Sequence, residues 1–199
     1  MQVTLDKQYP VAAGVDAAWR VLADIPGLTR CMPGAEITEQ LDPTHYKGLV
    51  RVKVGPAVAA FAGEIEVLSV DPRERTLHLV GKGADKGGSS ASMDLTATLA
   101  TDGGGACQLR GRANVIVNGK LAQFGGRMLN AVSDAILGRF AEQFSQHARA
   151  LEDAAGSAAG PAGATPAPAL AAAPPRLNAL ALLWSLLRGW FAGRFGRNP

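Results

Sequence analysis

The side chains able to do covalent or metal chemistry are few and scattered. Cys31 and Cys107 are the only thiols, and His45, His78 and His147 the only imidazoles. A structural zinc site needs a closely spaced Cys/His set, and these residues do not supply one. A disulfide between the two cysteines stays open, though nothing in their spacing requires it. Nucleophilic catalysis needs a thiol or hydroxyl beside an oriented base. No histidine stands in a recognisable arrangement with a carboxylate and a nucleophile. Arg30 adjoins Cys31, but a reactive thiol needs a basic or helix-N-terminal setting, and a packed cysteine is the ordinary reading. The stretch "GKGADKGGSS" invites comparison with a phosphate loop. Counting from Gly81, the sixth position is Lys86 where that motif requires glycine, and "NGKL" at 118–121 ends in a leucine that cannot ligate magnesium. The glycines then read as a hairpin with its strand ends, or as a mobile gate. The expectation is no catalytic and no metal-ligating residues.

The remaining chemistry is apolar and cationic, and it is concentrated at the C-terminus in "RLNALALLWSLLRGWFAGRFG". Residues 176–199 hold four arginines and no acid, whereas residues 1–153 hold sixteen Lys and Arg against seventeen Asp and Glu. A near-neutral body with a basic apolar tail argues against nucleic-acid binding, which wants a basic stripe on the folded domain. It points to an anionic surface or an apolar partner. The uncharged run Leu177–Leu187 would be about 17 Å long as a helix, against a hydrocarbon core of about 30 Å. Extending it past Arg188 would bury a charge at a cost of about 3 kcal/mol. The tail is therefore expected to lie in a membrane interface. Leu177, Leu180, Trp184, Leu187, Phe191 and Phe195 fall on one side at steps of three and four. Trp190 suits the headgroup level, and Arg188 and Arg194 can reach lipid phosphates. Docking of the same helix on a protein partner or on its own domain is the alternative.

Three segments position these residues. Residues 1–153 form a folded body. Residues 154–175 are Ala, Pro, Gly and Ser with no charge, a flexible linker. Residues 176–199 form the C-terminal amphipathic helix. The opening "MQVTLDKQYP" lacks the basic and apolar regions of a signal peptide, and with so few cysteines a reducing, cytoplasmic compartment is expected.

Within the body, "VTLDKQYPV" alternates like a strand. A helix is expected from Asp16, as its N-cap, to Asp24, broken by Pro26-Gly27, with a second helical turn before Pro33-Gly34. Six alternating runs follow, punctuated by Asp42-Pro43, Asp71-Pro72 and Asp102-Gly103-Gly104-Gly105. One apolar face per strand marks an antiparallel sheet with one covered side. From Leu121 to Leu151 the period changes to that of one long helix, with Phe124, Met128, Val132, Ile136, Phe140 and Phe144 four apart. Gly125-Gly126 is costly in a helix, and either close backbone approach or fraying would account for it. The class is α+β: a strongly curved sheet of about seven strands, ordered β-α-α-β6-α, around a long C-terminal helix. Sheet and helix diverge at one end and leave an apolar cavity.

This order resembles the helix-grip arrangement of the START and Bet v 1-like (SRPBCC) superfamily. "CMPGAE" at 31–36, "VKVGPAVAAFAGEIEV" at 52–67, "GKGADKGGSSASMDL" at 81–95 and "VNGKLAQFGGRML" at 117–129 are similar to the CoxG family of carbon monoxide dehydrogenase accessory proteins. The resemblance spans about residues 1–150. It implies a non-enzymatic accessory protein that recruits a molybdenum-containing CO dehydrogenase or related hydroxylase to the cytoplasmic membrane face. It further implies a hydrophobic ligand in the cavity, an isoprenoid quinone, with no metal or covalent cofactor. Trp19, Met32, Pro33, Phe61, Met93, Phe124 and Met128 are the candidate cavity walls, each of which serves equally as plain core. A maturation factor without ligand transfer and an enzyme on a small hydrophobic substrate are the competing expectations.

Overall fold

The computed structural model describes residues 1–158. The elements are β1 (Gln2–Val11), α1 (Val15–Ala23), α2 (Ile25–Cys31), β2 (Ala35–Gln40), β3 (His45–Val54), β4 (Ala57–Asp71), β5 (Thr76–Asp85), β6 (Ser89–Thr101), β7 (Cys107–Gly119), a 3-10 turn (Lys120–Phe124) and α3 (Gly125–Ala158). All seven strands join one antiparallel, curved sheet in the order β1-β7-β6-β5-β4-β3-β2. The first strand pairs with the last, so α1 and α2 carry the chain from one sheet edge to the other. The expected order and class are the ones found.

Alternation explains the covered face. Tyr46, Val67, Leu77, Leu99, Leu109 and Val117 are buried, while the intervening Lys53, Glu66, Asp94, Arg110 and Arg112 are exposed. The outward face is laced by surface pairs such as Lys47–Glu39 at 2.9 Å and Arg112–Asp6 at 3.0 Å. Such exposed pairs contribute at most about 1 kcal/mol each. The buried side chains form two clusters rather than one. One gathers α1, α2 and the C-terminal half of α3, with Leu22, Leu77 and Phe144 fully buried. The other gathers Val3, Val54, Ala59, Val117, Leu121 and Leu129 at the opposite end.

Several boundaries differ from expectation, each for a local reason. Gly14, not Asp16, is the N-cap of α1; Asp16 sits in the first turn, where it accepts a 2.6 Å hydrogen bond from Arg75. The break between α1 and α2 falls at Asp24, and Pro26 lies in the first turn of α2. A proline there loses nothing, because the first-turn N–H groups have no intrahelical partner. The long helix begins at Gly125 rather than Leu121, after the 3-10 turn. Gly125 adopts φ of 77°, so it is required by the junction and not by an approaching ligand. At the other end α3 runs to Ala158, past Asp153, because the Ala-rich sequence favours helix and Pro161 is the first proline after it. "GKGADKGGSS" forms the ends of β5 and β6 and a turn between them. Asp85 ties that turn by accepting from the backbone N–H of Ala60 (3.0 Å) and of Gly87 (2.7 Å).

Phe144 is 0% exposed and stacks at 5.8 Å on Phe140. Phe144→Ala is expected to cost about 3–5 kcal/mol, read as a lowered urea midpoint. In the β2–β3 turn the Asp42 carboxylate accepts from the Thr44 and His45 N–H groups and from the His45 ring at 2.8 Å. These contacts hold Asp42 well below the usual carboxylate range and raise His45 above the usual imidazole value. The pair is complete below the raised His45 pKa and is lost as pH climbs through it. Asp42→Asn is expected to move the His45 titration midpoint downward, followed by NMR of the ring protons.

Candidate functional site

The middle of the inward sheet face is almost bare. Gly48 of β3 pairs with Gly63 of β4, and Gly63 with Gly83 of β5. Gly81 lies two residues before Gly83, beside Ile65. Their neighbours Tyr46, Phe61, Ile65 and Leu79 pack into the clusters, so all four glycines face inward. A Cβ on Gly63 would overlap the Lys82 carbonyl oxygen, so the strands approach closely here. Around this floor, Leu5, Phe61, Ile65, Met93, Leu95 and Val115 point inward yet stay only half-buried. Full burial is thus reached within the two clusters, while the apolar residues around the glycines stay half-buried.

The helix above is held on one flank. Lys7 of β1 meets Asp134 at 2.7 Å, the Ala12 N–H donates to Ser145 Oγ at 2.9 Å, and the Gly14 N–H donates to Glu152 Oε1 at 3.0 Å. The Asp134 carboxylate raises the Lys7 pKa. The other flank, facing β3, is a cleft of ≈ 620 Å³. Val52, Met128, Ala131, Val132, Ala135 and Ile136 give it apolar walls, and Pro33 and Gly34 close one side. Arg51, Lys53 and Arg139 are its only charged lining residues. A lining of this kind binds an apolar body and favours a polar or anionic end near the rim.

Of the seven candidate wall residues, Pro33 and Met128 line this cleft. Trp19 and Met93 pack half-buried against the cluster beside α1 and α2, and Phe61 and Phe124 against the opposite cluster. Met32 is the half-buried C-cap of α2. Val52, Val132 and Ile136 were legible as apolar stripes but not separable from plain core. The tail residues from Leu177 to Phe195 lie outside the described residues, as does the linker beyond Ala158. No helix among the described residues is long and apolar enough to cross a membrane.

The thiols sit away from the cleft. Cys31 is buried, its Sγ 3.6 Å from His147 Nδ1 and 3.7 Å from the Gly27 carbonyl oxygen. Burial raises the pKa of both Cys31 and Cys107, which disfavours the thiolate needed of a nucleophile.

Comparison with solved structures places the fold. A conserved protein from Geobacillus kaustophilus is similar at a TM-score of 0.67 and 20% identity, covering 74% of this chain and 95% of that one. The ZhuI aromatase/cyclase from Streptomyces sp. R1128 follows at 0.57 and 19%, covering 78% and 99%. A START superfamily protein from Mycobacterium smegmatis is similar at 0.54 and 14%, covering 74% and 98%. These show a START-like fold. No curated protein matches the chain in sequence. The model of the carbon monoxide dehydrogenase CoxG family matches residues 8–149, and with most of its length so matched the chain belongs to that family.

Proposed function

We propose that this protein is a non-catalytic adaptor that carries a hydrophobic, lipid-like ligand between the cytoplasmic membrane face and a molybdenum-containing CO dehydrogenase or related hydroxylase. The observation that carries it is the apolar-walled cleft of ≈ 620 Å³ between β3 and α3, with no carboxylate, imidazole or thiol in its lining. Family membership supports the partner, since the family takes its description from carbon monoxide dehydrogenase. An isoprenoid quinone is the ligand that best joins the two, because such oxidoreductases need a membrane-soluble electron acceptor. It would bind with its chain against Val132 and Ile136. The basic apolar tail from Arg176 onward supports recruitment to an anionic bilayer.

The reading is tested on the full chain purified without detergent, then extracted with organic solvent for lipid mass spectrometry. A near-stoichiometric quinone is expected; protein that elutes free of any lipid overturns the carrier reading. Ile136→Trp fills the cleft, and the bound ligand is expected to fall at least about tenfold while circular dichroism is unchanged. Flotation with anionic liposomes tests recruitment. The full chain is expected to float in a salt-sensitive manner, and a chain ending at Ala158 to float less.

A further inference from the structure

The charges of the body are sorted to its two ends. One end is built from the β3–β4 hairpin (residues 52–60), the β5–β6 hairpin (84–90) and the stretch from β7 into α3 (118–128). These segments carry Lys53, Lys86, Lys120 and Arg127 against a single acid, Asp85. All four cations are exposed, and none joins an ion pair among the described residues. The Asp85 carboxylate is turned back onto the N–H groups of Ala60 and Gly87. The opposite end, made of residues 12–16, 41–44, 71–75, 102–106 and 149–158, carries seven carboxylates against three arginines. A net charge near zero thus hides a strong axial polarity.

The basic end also exposes apolar side chains. Val58, beside the Gly55-Pro56 turn, is 68% exposed, and Met128 is 38% exposed. Met128 stands next to Gly55, its Sδ within 3.7 Å of where a Cβ would be. Lys53, Gly55 and Met128 also line the cleft. Cations around protruding apolar groups are the chemistry that meets phosphate headgroups and the acyl region beneath them.

We infer that the basic end, with Val58 at its tip and Lys53, Lys86, Lys120 and Arg127 around it, is a docking face for an anionic lipid bilayer that sets the cleft mouth against the membrane. This contact rests on the membrane-adaptor reading for its setting, but it is made by the folded body and not by the tail. The acidic end is repelled by the same surface, so the polarity orients the body as well as attracting it.

The test labels the full chain at Val58→Cys and, separately, at Leu68→Cys on the opposite part of β4. The buried Cys31 and Cys107 leave the introduced thiol as the reactive one. The probe is an environment-sensitive fluorophore, and the vesicles are phosphatidylcholine with phosphatidylglycerol, carrying brominated acyl chains as quenchers. Quenching is expected at position 58 and not at 68, on anionic and not on neutral vesicles. The combined substitution Lys53→Glu, Lys86→Glu, Lys120→Glu and Arg127→Glu is expected to lower it at least about tenfold in vesicle concentration. A chain that binds vesicles with position 58 unquenched overturns this docking face and leaves tail recruitment standing. Quenching at 58 that survives in a chain ending at Ala158 supports the face and counts against the tail as the anchor. Quenching that the charge reversals leave unchanged overturns it. A label that responds to the dehydrogenase but not to vesicles, or a full chain that binds no vesicle at all, also overturns it.

Discussion

The absence of side chains in the middle of the sheet governs the rest of this molecule. Gly48, Gly63 and Gly83 stand in one row across β3, β4 and β5. Without Cβ atoms there the backbones approach closely, as the overlap at Gly63 shows, and the sheet can curve around α3. The same row adds no side chain to the inward face there, and the apolar residues around it stay half-buried. Core residues elsewhere are packed to full burial at both ends, so the thinness is local. Apolar surface left half-buried forgoes dispersion contacts that a filled core would make. A bound apolar molecule restores them, and a ligand that binds only the folded state stabilises it by mass action. Curvature and a half-buried inner surface are therefore two results of one set of residues.

The asymmetric hold on α3 then decides where the space opens. Its ties to β1 come from Asp134, Ser145 and Glu152. Its first two turns have no such tie; Leu129 packs below, and the backbone enters through Gly119 and Gly125, both at positive φ. The cleft lies on the untied flank, toward β3. The two buried thiols play no part in this. They sit in or near the cluster under α1 and α2, where burial holds them protonated.

Element order and class were legible because the longer strands alternate apolar and charged residues along much of their length, and because the long helix announces itself by a change of period near residue 121. Boundaries were less legible. Asp16 has the side chain of an N-cap but is drawn into an ion pair with Arg75, fifty-nine residues away, which no local pattern encodes. Gly125-Gly126 looked like a costly pair within a helix; one of the two is the turn that starts it. The cavity walls were the hardest to read. Val132 and Ile136 share the stripe of Phe140 and Phe144, and only what the fold sets against them, Val52 and the Pro33-Gly34 turn for the first pair, makes those two line a cleft while the second pair packs in the core. Gly48, Gly63 and Gly83 are likewise separated in sequence, so their row across three strands exists only in the register.

Charge placement adds a constraint that neither composition nor the cleft shows by itself. Four cations near a surface of anionic lipid contribute about 1 kcal/mol each, and that attraction decays over a Debye length of about 8 Å in physiological salt. A contact of this size is enough to orient the body on such a surface and weak enough to be readily reversed. On the proposed reading, that reversibility suits a carrier. An adaptor that must take up a ligand from the bilayer and present it elsewhere needs its mouth to leave the surface as readily as it arrives. A tightly inserted tip would slow each exchange. On the proposed reading, the axial charge polarity of the folded body supplies orientation and the tail supplies proximity.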